Sequence, residues 1–192
     1  MKPVLPLAVL FLLTTSAFSR LGETREQTEV RYGLPKRELS AGTRLTLIEG
    51  ALELSFKFEG WIIRCALLPA TDGREYIVKE EYRKDPAFVV RNRQNPTWIL
   101  DEERDAVLNA QAASDGWHLK TVGQPETDPL QVAVNQLGRS HSLSGNLLVR
   151  SDRAIGQVAW DHITLSLPQA FSYEAQIAAI KQQKAKSALP KF

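Results

Sequence analysis

Histidines and clustered carboxylates are the residues here best suited to move protons or hold a metal, and their spacing decides whether they do. The three histidines, His118, His141 and His162, lie far apart, in no H-x-H, H-E-x-x-H or Cys-His pattern, so no metal-ligand motif is present. Ser140, Ser142 and Ser144 surround His141, but the G-x-S-x-G turn that lifts a serine nucleophile above a sheet is absent. That stretch reads as a polar Gly and Ser loop. Asp101, Glu102 and Glu103 are consecutive carboxylates; on a helix such neighbours diverge, and the positive end of the helix dipole accounts for them. Glu80 and Glu81 fall on opposite faces of one strand, so at most one can line a site. With no phosphate-cradling glycine loop either, the reading is non-enzymatic, with no cofactor and no metal.

Cationic clusters are the other candidates. Arg83, Lys84, Arg91 and Arg93 lie close together around a polar loop over residues 85–95, bounded by Pro86 and Pro96. They offer an edge that could bind an anion or a partner. Lys181, Lys184 and Lys186, with Lys191 beyond, close the chain's last helix, where cations complement the dipole and an acidic partner or lipid headgroup layer would find them. Neither makes a global field: 24 Lys and Arg against 22 Asp and Glu leave a net charge of +2, which argues against nucleic acid as a partner. Cys65, the single cysteine, sits in the apolar run WIIRCALL and reads as a buried, inert thiol. Trp61, Trp98, Trp117 and Trp160 read as core or lid residues.

The elements that position these groups begin after a leader. Residues 1–19 carry Lys2, an apolar run from Val4 to Leu13, and small residues at Ala17 and Ser19. This is the pattern of an export signal cleaved between Ser19 and Arg20, its apolar run shorter than the roughly 20 residues a membrane span needs. The expected location is periplasmic or extracellular, with no transmembrane helix in the mature chain. Thr24 and Gln27 then fit a capping box, so a helix should cover residues 25–32 and stop at Gly33 and Pro35. Two turns are unstable alone, so Val30, together with Tyr32 or Leu21, should dock on a sheet.

That sheet is legible downstream. Leu52, Leu54, Phe56 and Phe58 alternate with Glu53, Ser55, Lys57 and Glu59, a strand with one wet face. Leu45 and Leu47 suggest a strand before it. The apolar run 61–68 suits a central strand, and Thr71-Asp72-Gly73 turns the chain into a strand over 75–83. The sum is a three- or four-stranded antiparallel meander. A helix follows Ile99, with Leu100, Val107, Leu108 and Gln111 or Ala112 facing inward and Ser114-Asp115-Gly116 ending it. The stretch 121–129, rich in Pro and Gly, reads as a joint between residues 20–120 and 121–192 of what is expected to be one domain. Three short strands turn near Ser151-Asp152 and Asp161, and a last helix over 172–187 buries Tyr173, Ile177 and Ile180. The fold class is α+β: a mostly antiparallel sheet with short helices packed on it, the last at the C-terminus.

Gly22-Glu23-Thr24-Arg25-Glu26-Gln27 followed by Tyr32-Gly33-Leu34-Pro35 resembles the opening of the small exported SmpA/OmlA (BamE-like) domains and of beta-lactamase-inhibitor-like modules. More closely, it is similar to exported bacterial proteins in which such a helix precedes a β-meander and a short acidic helix ending near a Trp. The resemblance implies an envelope protein that binds or scaffolds other envelope proteins. The alternative is a small-ligand or anion-binding module using the Arg83–Arg93 edge.

Overall fold

The computed structural model describes residues 21–40, 46–88, 97–112, 116–141 and 143–187. Helix α1, Arg25–Tyr32, starts as its residues dictate: Gln27 donates its backbone N–H to Thr24 Oγ1, and Thr24 donates its own to Gln27 Oε1 at 2.8 Å. At its end Gly33 takes φ 77°, a left-handed conformation that glycine adopts without a Cβ penalty. The strands are β1 Arg37–Leu39, β2 Leu52–Phe58, β3 Trp61–Pro69, β4 Glu75–Lys84, β5 His118–Thr121, β6 Asn146–Val149, β7 Ile155–Val158 and β8 His162–Ser166. The remaining helices are α2 Asp101–Ala110, α3 Pro129–His141 and α4 Pro168–Ser187.

All eight strands form one antiparallel sheet, ordered β1-β2-β3-β4-β8-β7-β6-β5. Two meanders are thus joined side by side through β4 and β8, and the sheet runs unbroken across the expected joint at 121–129. A bulge between Ala66 and Leu67 shifts the β3–β4 register. Val78 is the extra residue, so it and Lys79 both stand on the α4 side, Val78 in that cluster and Lys79 bonded to Glu174 at 2.9 Å, while Ile77 and Tyr82 both face the other core.

One face carries α1 and α2. Leu54, Phe56, Ile63, Cys65, Tyr82, Ile163 and Leu165 form its core with Tyr32 of α1 and Val107 and Leu108 of α2. The Tyr32 ring, 5.4 Å from Phe56 and 5.1 Å from Phe58, is what docks the two-turn helix. The segment before it is pinned to β4, where Gly22 donates to Ile77 O at 2.8 Å and Ile77 to Glu23 O at 2.9 Å. The opposite face carries α4, through Ala170 and Tyr173, and α3, through Val134, over Leu147, Val149 and Ile155.

Several sequence expectations are corrected here. Val30 is 88% exposed; Thr28 is buried in its place and satisfies its hydroxyl on Thr24 O at 3.0 Å. Residues 46–50 form bends and a turn rather than a strand, with Ile48 and Ala51 plugging the α4 face, and residues 41–45 lie outside the described ones. Glu53 is buried, so the second face of β2 is not uniformly wet. Leu100 and Ile180 are exposed, and α2 stops at Ala110, before Ser114-Asp115-Gly116. The Gly and Ser loop around Ser140 is instead the end of α3, capped at its start by Asp128 Oδ1, which accepts from Gln131 N at 2.9 Å.

Candidate functional site

The cationic edge is taken up by its own chain. Arg83 makes a two-pronged pair with Glu81, Nε to Oε1 at 2.9 Å and Nη2 to Oε2 at 3.2 Å, while Nη1 reaches Asp161 Oδ2 at 2.9 Å. Lys84 pairs with Glu103 of α2. Arg91 and Arg93 lie outside the described residues. Arg83 is the middle of a longer row on the α3–α4 side of the sheet. Arg64 grips Glu53 through Nε at 2.8 Å and Nη2 at 3.0 Å and touches Glu81 at 3.1 Å. At the far end Asp161 Oδ1 lies 2.7 Å from His162 Nδ1. Burial opposes ionisation of Glu81, but the bonds and charges of Arg83 and Arg64 outweigh it and hold the carboxyl below its ordinary range. His162 likewise lowers Asp161, chiefly by its hydrogen bond.

The remaining candidates for chemistry are dispersed. His118 is on β5, His141 ends α3, and His162 is on β8. Ser140 donates to Gln136 O at 2.8 Å within its own helix. Among the described residues no group of His, Cys, Asp and Glu is arranged to hold a metal ion. Asp101, Glu102 and Glu103 sit in the first turn of α2, where Glu103 Oε2 accepts from Leu100 N at 2.8 Å. Glu80 and Glu81 do face opposite ways. Glu80 points into the core, where Gln111 Nε2 at 2.6 Å and the Tyr82 hydroxyl at 3.1 Å donate to it. The Cys65 thiol lies 3.9 Å away; burial first, and the Glu80 charge second, hold it well above the ordinary thiol range. Gln111 joins this cluster to the chain's start by accepting from Leu21 N at 3.1 Å.

A groove with an apolar floor lies beside α2. Leu119 of β5, Leu148 of β6 and Gly156 of β7 are register partners on the α1–α2 face, and Val158 follows two residues on. Arg104, Asp105 and Leu108 of α2 form one wall and Asn146 one end, enclosing about 410 Å³. Gly156 keeps the floor low: a Cβ there would meet Leu165 at 3.1 Å and Leu148 at 3.2 Å. The α2 wall is fixed from behind, because Trp117 Nε1 donates to Leu108 O at 3.0 Å and Arg150, stacked 5.3 Å over the Trp117 ring, donates to Gln111 O. Leu119 is 65% exposed and Val158 44%. Beyond Val158 the turn holds Trp160, 6.4 Å edge-on from Trp98, both exposed. These two tryptophans are not core residues.

No family model, curated protein or solved structure matches the chain.

The reason for the groove is dimensional. Eight strands about 4.8 Å apart make a sheet about 34 Å wide, whereas two helices side by side cover about 20 Å. Sequence reasoning missed the groove because its residues come from α2 and three short strands, and only β5's exposed Leu119, inside the polar-looking HLKT, hinted at it.

Proposed function

We propose that this is an exported, non-enzymatic envelope protein that binds an apolar segment of another protein in the groove between α2 and strands β5 to β7. The observation that carries it is the uncovered floor: Leu119, Leu148 and Val158 share one face with no described helix over them, and the exposed pair Trp98 and Trp160 stands just past Val158 in the chain. Apolar surface gathered in a concavity marks an interaction site more often than apolar residues scattered singly. Burying side chains of this size contributes about 1.5–3 kcal/mol each, enough for a few of them to support a specific contact. The leader-like residues 1–19 and the resemblance of the capped opening helix to exported binding modules support the same reading. The anion-binding alternative is weakened because Arg83 and Lys84 are already neutralised by Glu81, Asp161 and Glu103.

The test is site-specific photo-cross-linking in the native envelope. A photoreactive residue at position 119 or 158 should give one discrete adduct, and one at Val30, on the far side of α1, should give none. Leu119→Asp should abolish the adduct at 158 while moving stability by no more than about 0.5 kcal/mol, because the side chain is exposed. Equal labelling at all three positions, or none at 119 and 158, refutes the reading.

A further inference from the structure

The groove ends at the outermost strand of the sheet, and the backbone of that strand says what kind of segment can lie there. In an antiparallel pair, residues alternate between those that exchange hydrogen bonds with the neighbour and those whose N–H and C=O point away. Val122 N donates to Gly145 O at 3.0 Å across the β5–β6 ladder. The register pairs Lys120 with Leu147 and His118 with Val149, so His118 and Lys120 face β6 while Leu119 and Thr121 face outward. The side-chain bonds agree: Thr121 O is taken from outside the ladder, by Gln131 Nε2 at 2.8 Å. What faces outward and has no described strand beside it is Leu119 N–H, Leu119 C=O and Thr121 N–H.

We infer that β5 accepts an extended segment of the partner as an added antiparallel strand, with alternate apolar side chains standing beside Leu119 on the groove face. The inference rests on the groove being the binding site. Three backbone groups at one edge, next to an exposed leucine, suit an extended chain; a helix or a small apolar molecule would leave them without partners. Charge adds a second requirement. On the α2 wall Arg104 bridges both Asp101 and Asp105 at 2.8 Å, so two carboxylates share one guanidinium and the wall keeps an excess negative charge. A segment passing it gains from a lysine or arginine flanking its apolar positions.

The probe is the fluorescein-labelled peptide Lys-Val-Thr-Val-Thr-Val-Lys with blocked ends, in three forms: unmodified, N-methylated at the valines, and N-methylated at the threonines. Only one set of alternate amides can face β5. One methylated form should therefore lose binding by about tenfold or more while the other stays within about twofold of the parent. Hydrogen exchange at the Leu119 and Thr121 amides should slow on binding, and that at Lys120, already in the ladder, should not. No saturable binding up to about 1 mM, equal binding of both methylated forms, or unchanged exchange at Leu119 and Thr121 each overturns strand addition. If the envelope cross-link at position 119 persists after such a result, the groove reading survives without it; if both fail, both are wrong.

Discussion

Replacing Arg64 with methionine tests the charged row most directly. The guanidinium makes two bonds to Glu53 and one to Glu81. Those carboxylates are only 2% and 7% exposed, so Arg64→Met strands Glu53 on the Leu47 N–H alone, at 2.6 Å, and leaves Glu81 to Arg83. Breaking a buried pair by removing one partner costs about 3–5 kcal/mol. The Arg64 side chain is 27% exposed, so water reaches part of the vacated site and the lower end, about 3 kcal/mol, is expected. For a chain of this size that lowers Tm by about 6–12 °C. The pH dependence fixes the cause. Glu81 titrates below its ordinary value in the folded state, so its contribution is present above the unfolded pKa, about 4.3, and is lost as pH falls through the folded value. The deficit of Arg64→Met, measured by urea unfolding, should be full at pH 7 and shrink as pH falls from about 4.3 through the folded value of Glu81, whose protonation removes a charge that Arg64 pairs with. A loss under about 1 kcal/mol at pH 7, or a deficit that grows on acidification, would show that the row is held by something other than these pairs.

Three further outcomes follow from local geometry. Gly138→Ala should lower stability by about 1–3 kcal/mol despite alanine's better helix propensity, because the new Cβ would sit 2.3 Å from the stiff Val122 side chain and 3.3 Å from Leu143 O; a rise in Tm would contradict it. Arg153 holds φ 67° at an exposed turn, so Arg153→Gly should raise stability by up to about 1 kcal/mol in urea unfolding, and a loss would mean that its side chain makes a contact of value. Cys65 should resist Ellman's reagent at pH 8 in the folded protein and react fully in urea, since burial and Glu80 keep its thiol neutral; rapid native labelling would refute this.

What was readable in the sequence was local. The capping box at Thr24 and Gln27 and the turn at Thr71-Asp72-Gly73 involve residues within three or four of each other and stand where their chemistry puts them. Helix α3 was equally available: Asp128 at the cap, Pro129 in the first helical position, Gln131 three residues after the cap, then Leu130, Val134 and Leu137 on one stripe. Pro125 and Pro129 suggest a break and the serines a loop, although a proline in the first turn favours a helix. Strands β1 and β5 carry only three and four residues of mixed polarity, because an edge strand buries one side at most. The β4–β8 pairing, Glu80 opposite Leu165, and the groove it brings together depend on contacts far apart in the chain, which no local pattern records.

The two faces of the sheet meet the same shortage of cover with opposite chemistry. Beyond α4 and the 46–51 segment, the second face fills its open strip with Glu53, Arg64, Glu81, Arg83 and Asp161, alternating charges that satisfy one another and remain compatible with water. Beyond α1 and α2, the first face leaves Leu119, Leu148 and Val158. Charged side chains there would solve the exposure problem equally well, as they do on β2 to β4 of the other face. An ion-pair row is complete without a partner, whereas a leucine and valine floor flanked by a strand with no described neighbour on its outer side gains free energy only when something covers it. The difference between the faces, rather than the size of the groove, is why the binding reading attaches to the β5 side.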